Sequence, residues 1–441
     1  MNKKNLTDQA IKGPLFTNIF KTFRFAIQPG NLLLALMAVI AMCISGMLID
    51  LWPTVVTSPG AQTEDFREAP GSGFFPFLPP CELHAAIGGR EEWREYVIAY
   101  EGLAPPAGVS SVLWHFLAAR FNSSAMALVR ADYGNVAANL RMMVQAAWWA
   151  ARYHTFHAAV LFAVTLVVMS LVGGAICRSA ALQLAKDERP GLAESLRFSI
   201  RRFTSFISAP LWALGIIALT SLLIFLLGLT GNLGFGAGPV LLGLLSPLAI
   251  LLGFVMVLFI IGSAAGASLM SPAVAFESTD GMGAMGRAFA YIYMRPWRAA
   301  FYALVATIYG LVCYLFVRLV AFLLLAMTRA FFGAGASIWR DEPVQTESGP
   351  VSLIDALWPT PMFDNLLGGW DQSLPVAERI GATLLRIPNL LFAGLLPAFL
   401  LSLFFCSSTV IYALLRKKAD GEDFENIYIP DESAPAVRPQ P

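Results

Sequence analysis

His154 and His157 stand three residues apart in the run ARYHTFHAAV, a spacing that puts two imidazoles on one face of a helix where they could share a metal ion. His84, beside Glu82, and His115 are the other two histidines. No Cys, His or Asp accompanies the pair at the spacing of a structural zinc site. The expectation is therefore no metal and a wet interface beside Trp148, Trp149 and Tyr153, with a membrane metalloprotein as an alternative. Arg318 is the one charge well inside an apolar run. Such a group is paired, snorkelling or functional. Asp50, at the end of the first apolar run, is its expected partner, with Tyr314 one turn away. A transporter or permease with its pathway near Arg318 is the other alternative function.

Gly262 and Gly266 form a GxxxG within GSAAGAS, which lets another helix come close. That helix belongs to this chain or to a second copy in a homo-oligomer, and packing within the chain is the expectation. Gly173-Gly174-Ala175 occupies the matching end of an earlier apolar run. There is no Walker A sequence, no HExxH, no GxSxG and no CxxC. Asn122-Ser123-Ser124 is a formal glycosylation sequon. No enzymatic chemistry, catalytic residue or cofactor is expected.

The elements that position these residues follow from composition. The 441 residues are 57% hydrophobic and 13% charged, against about 25% charged in soluble domains. Mean hydropathy is +0.65. Several apolar runs exceed the roughly 20 residues a bilayer needs, so the chain is expected to be an all-α, polytopic transmembrane helix bundle of about six spans. The net charge of +1 gives no case for nucleic acid. The start of the chain, MNKKNLTDQAIKG, is longer and more polar than a signal peptide's basic region, and the first apolar run reads as a retained helix.

Three stretches combine a basic stripe with an apolar side and lead into an apolar run. In DGMGAMGRAFAYIYMRPWR, Arg287, Tyr291 and Arg298 share one stripe at about 100° per residue, with Arg295 beside it; Met285, Phe289 and Ile292 point away. Pro296 should end this helix. Residues 14–28 place Thr17, Lys21, Arg24 and Gln28 on one stripe before Pro29-Gly30. Residues 186–208 place Glu194, Arg197, Arg201 and Ser205 opposite Leu192, Leu196, Ile200, Phe203 and Phe206, with Pro190 in the first turn and Pro210 before the next span. Each reads as an amphipathic helix in the membrane interface. Arg24, Arg197, Arg201, Arg287 and Arg295 are the candidate lipid-interface residues, and the bilayer, with its anionic inner-leaflet lipids, is the expected partner.

The chain then divides into a cytoplasmic N-terminus and interfacial helix (1–30), a first span (31–52) and a small helical extracytoplasmic segment (53–155). A core of four spans in two span–interfacial helix–span units follows (156–327). An extracytoplasmic loop (328–388), a sixth span (389–415) and a disordered cytoplasmic tail (416–441) complete it. Residues 134–155 should continue unbroken into the second span. The apolar faces of 53–155 should lean on membrane or spans rather than form their own core, and 377–386 should be a short separate helix. Lysine and arginine are denser in the segments assigned to the inside, which puts both termini in the cytoplasm.

The stretches LFTNIFKTFRFAIQPGNLLLAL and DGMGAMGRAFAYIYMRPWRAAFYALV resemble an uncharacterised multi-spanning membrane protein group of planctomycete-type bacteria. The resemblance implies a bacterial inner-membrane location and no catalytic residues. The functional expectation is a non-enzymatic scaffold or lipid-interface component.

Overall fold

In a computed structural model the protein is described at residues 15–58, 81–232, 237–336, 338, 344–346, 349–363, 366–367 and 374–428. A 3-10 turn over Leu15–Lys21 precedes α1 (Thr22–Ala26) and α2 (Pro29–Ile49). Four helices follow: α3 (Glu82–Gly88), α4 (Arg90–Tyr100), α5 (Val109–Val129) and α6 (Tyr133–Tyr153). Then come α7 (Thr155–Lys186), α8 (Leu192–Arg201), α9 (Phe203–Leu229), α10 (Ala237–Glu277), α11 (Gly281–Met294) and α12 (Pro296–Ala336). A hairpin of β1 (Val344–Thr346) and β2 (Gly349–Val351), in register Val344 to Val351, leads to α13 (Leu353–Leu357) and α14 (Val376–Ala419). Apart from that hairpin the described residues form an all-α polytopic bundle.

Among the described residues, six helices are long and apolar enough to cross a membrane: Pro29–Ile49, Thr155–Lys186, Phe203–Asn232, Ala237–Glu277, Pro296–Ala336 and Val376–Ala419. Several outrun the apolar segments read from sequence. Arg178 and Gln183 do not end the second span, because both are buried inside α7 with partners. Pro210, Pro247, Pro272, Pro388 and Pro397 all lie within helices. In an apolar helix the neighbouring turns re-satisfy the carbonyl that proline leaves free. So Pro210 does not precede the third span, and 377–386 is the first part of α14 rather than a separate helix.

The chain folds as two compact units, Met1–Ala35 with Val167–Gly310 and Leu401–Pro441, and Leu36–Leu166 with Leu311–Leu400. The first unit is packed with small residues. Ala175, Ala180, Ala181, Ala273, Ala275, Ala284 and Ala288 are all fully buried. A Cβ on Gly174 would lie 2.6 Å from Ser199 Oγ, so glycine there lets α8 close on α7. Ser199 Oγ then donates to the Leu171 carbonyl at 2.6 Å. Arg178 donates to the Ala275 carbonyl at 2.9 Å and stacks over Phe198. Gln28 bonds Gln183 at 2.6 Å, and Ser402 donates to the Ala26 carbonyl at 3.0 Å. These polar contacts are buried where hydrocarbon or protein excludes water, so each is satisfied internally.

Of the stretch 14–28, residues 15–28 are not one α-helix but a 3-10 turn followed by the single turn of α1. Within residues 186–208 the separate helix is only the ten residues of α8, with Gly191 as its N-cap, so Pro190 lies before it and 203–208 already belong to α9. The α11 stretch ends as read, and Asp280 caps its start. The Asp280 side chain accepts from Gly283 N at 3.1 Å, and the helix stops at Arg295, before Pro296 opens α12. Its sides are different, however. Tyr291 and Met285 are both buried in protein. Phe289 lies over the GxxxG of α10, where a Cβ on Gly262 would come within 2.9 Å of its ring and one on Gly266 within 3.4 Å. The notch thus receives a side chain of the same chain.

The second unit has a core of its own, contrary to expectation: Val55, Cys81, Leu83, Val109, Val112, Leu113, Phe116, Ala146, Trp149 and Ala150. A smaller cluster around Val344, Ala356, Leu374 and Ala382 carries the hairpin and α13. The proline- and phenylalanine-rich stretch 70–80, Trp339 and Trp370 lie outside the described residues. The tail is ordered through Tyr428, whose N–H donates to the Phe276 carbonyl at 2.9 Å, while Arg416 donates to the Asn426 carbonyl at 2.6 Å. Residues 429–441 lie outside the described residues.

Candidate functional site

The helix expected to run through 134–155 into the span breaks at His154 (φ −124°, ψ 48°), between α6 and α7. The break turns its imidazole inward. Nε2 lies 2.5 Å from Glu82 Oε1, and Nδ1 lies 3.0 Å from Thr54 Oγ1. A carboxylate only accepts, so Nε2 carries the proton. Glu82 opens α3, where its own N–H donates to the Val56 carbonyl at 3.0 Å and its Oε2 accepts from Val56 N at 3.4 Å. Two isolated bridges, Val55 to Ala107 and Thr57 to Cys81, hold the segment that presents Thr54. The ring also packs edge-on against Trp149 at 4.8 Å. Glu82 and His154 are both buried. The result is a hydroxyl–imidazole–carboxylate chain tying the 53–58 segment, α3 and the α6–α7 corner together.

His157, the expected companion of His154, does something else. Its Nε2 lies 3.1 Å from the Trp52 carbonyl. Both nitrogens of His154 are engaged, and no cluster of three or more His, Cys, Asp or Glu suited to a metal ion occurs among the described residues. His115, on α5, is pushed down to about 4 by burial, from an ordinary value of 6.5. Between those values the unfolded chain binds a proton that the folded chain refuses, so stability falls as pH drops through this window. Discounted for its partial exposure, the loss should be about 1–2 kcal/mol between pH 6.5 and 4. Thermal unfolding across that range should flatten in His115→Gln relative to wild type, and an unchanged slope would count against the assignment.

Arg318 and Asp50 do not meet as a pair. Arg318 is 2% exposed and donates to three acceptors at 2.8 Å: the Phe363 carbonyl, Asn122 Oδ1 and Tyr314 Oη. Its guanidinium stacks over Phe363 at 5.0 Å. Asn122 Oδ1 also accepts from Tyr314 Oη at 2.8 Å, so the sequon's asparagine is committed to the interior. Asp50 instead accepts from Ser110 N and Ser111 N, both at 2.8 Å, at the N-terminus of α5. Free N–H groups and the positive end of the helix dipole satisfy a carboxylate as well as a cation does.

The candidate lipid-interface arginines divide into two classes. Arg24 bonds Asp187 at 3.3 Å with both groups well exposed, a contact worth little. Arg197 and Arg201 are exposed and make no ion pair among the described residues. Arg295 is half-buried as the C-cap of α11. Arg287 is engaged, 3.1 Å from Glu277 Oε2 and 3.5 Å from Asp420 Oδ2. Glu277 also takes Tyr412 Oη at 2.6 Å and Arg416 Nε at 3.3 Å, and Tyr291 Oη donates to Asp420 at 2.5 Å. The sequence reading missed this cluster, whose one signal was an acidic run directly after Arg416-Lys417-Lys418. Comparison with family models, with curated proteins and with solved structures finds no match to this chain.

Proposed function

We propose that the chain is a non-enzymatic multi-pass protein of a bacterial inner membrane, a scaffold or lipid-interface component with both termini in the cytoplasm. The observation that carries this reading is α8. Ser195, Phe198 and Ser199 are buried in protein, Ile200 is 58% exposed, and Arg197 and Arg201 stand free on the outside. A short helix with one side in protein, one apolar side exposed and one basic side suits the boundary between headgroups and acyl chains. Trp297 and Arg298, exposed at the start of α12, suit the same level. Arg318, held by the Phe363 carbonyl, Asn122 and Tyr314, supports a structural role over a transport pathway. Each surface arginine near an anionic leaflet contributes about 1 kcal/mol. R197E/R201E should therefore retain anionic lipid about thirtyfold less than wild type when the purified protein is assayed by native mass spectrometry. Equal retention would refute the reading. R287E should not mimic the double variant, because Arg287 is held by Glu277 and Asp420.

A further inference from the structure

A cavity of about 590 Å³ opens in the second unit between α4 and α6. Its size lies within the range of small-molecule sites. Arg90 and Arg94, one turn apart on α4, contribute two guanidiniums and Arg152 of α6 a third. All three are exposed, and none makes an ion pair among the described residues. One wall is the Trp93–Tyr153 stack, with ring centroids 4.0 Å apart and planes at 19°. Trp148 stands at the mouth, 69% exposed.

Gln145, Trp148, Trp149 and Arg152 are spaced to share one side of α6, so a single helix face supplies cation, ring and amide together.

The chemistry of these groups defines the occupant. Three unpaired guanidiniums call for a carboxylate or phosphate. Flat indole faces call for a ring. A sugar ring meets that demand with its C–H face while its hydroxyls stay turned to water. We propose that this cavity binds a hydroxylated ring bearing a carboxylate or phosphate, a sugar acid or sugar phosphate, either free or as the headgroup of a lipid. The site is independent of the α8 reading.

The test uses the full chain in detergent or nanodiscs. Equilibrium dialysis with labelled glucuronate and glucose 1-phosphate should show saturable binding, and neutral glucose should not bind. R94Q and R152Q should each weaken binding about tenfold, as expected for loss of one charge-assisted contact. W148A should weaken the sugar anions while leaving binding of inorganic phosphate unchanged. These side chains are exposed, and circular dichroism checks that the variants remain folded. If only nanodiscs containing phosphatidylinositol, and not phosphatidylcholine, give a response sensitive to R94Q, the proposal holds with a lipid headgroup as the source. No response to soluble anions at up to about 10 mM or to phosphatidylinositol would overturn it, as would a response that survives R90Q/R94Q/R152Q.

Discussion

Glu82→Ala should destabilise the second unit by about 3–5 kcal/mol, the usual cost of removing one member of a buried polar pair. The physical reason is desolvation. The His154 ring would remain buried with its Nε2–H facing no acceptor, and the Val56 N–H would lose its carboxylate contact. His154→Ala should cost a similar amount, because Glu82 would be left as a buried carboxylate with its main donor gone. Replacing both together is a different case. In Glu82→Leu/His154→Leu neither group is orphaned, and much of the loss should be recovered. Chemical unfolding of the full chain in detergent, combined with amide exchange on α3 and α6, reads this directly. Single variants within about 1 kcal/mol of wild type would show that the hydroxyl–imidazole–carboxylate chain is not what holds the α6–α7 corner.

The spans were legible because hydrocarbon imposes one crude requirement, about 20 apolar residues in a row, that needs no knowledge of partners. Helix ends were less legible because the rule that stops a span at the first charge assumes the charge meets water. Arg178 meets the Ala275 carbonyl and Phe198 instead, and α7 continues to Lys186. Sidedness failed in α11 for a related reason. An angular pattern of arginines and aromatics tells which residues share a stripe, but not whether that stripe faces water, lipid or another helix. Tyr291 and Arg287 share a stripe as read, yet Asp420 of the tail and Glu277 of α10 occupy its far side. The GxxxG was readable as a close approach but not as a seat for Phe289, since small residues announce room without naming what fills it. The buried Glu82–His154 pair carried no local signal, because its members are 72 residues apart and belong to no shared period.

Arg318→Ala should be at least as damaging as the loss of Glu82, at about 3–5 kcal/mol, and neutralising Asp50 should not rescue it. The two halves of that expectation separate the observed geometry from the ion pair that charge alone suggests. Removing the guanidinium leaves Asn122 Oδ1 with only Tyr314 Oη, strips the Phe363 carbonyl of its donor and empties the space beneath the Phe363 ring. Asp50 is not among those groups, so neutralising it has nothing to relieve. Asp50 caps α5 through Ser110 N and Ser111 N, so Asp50→Asn should itself cost about 1 kcal/mol for the weakened cap. A double-mutant cycle decides between the two pictures. Arg318→Ala with Asn122→Ala should couple by more than about 1 kcal/mol, because each removes the other's partner, whereas Arg318→Ala with Asp50→Asn should be additive within about 0.5 kcal/mol. The reverse pattern would restore the ion pair and reopen a functional charge inside the span. Arg318→Lys adds a last discrimination. Lysine keeps the charge but cannot lie flat over Phe363 while reaching its carbonyl and the Asn122 amide together, so it should recover only part of the stability.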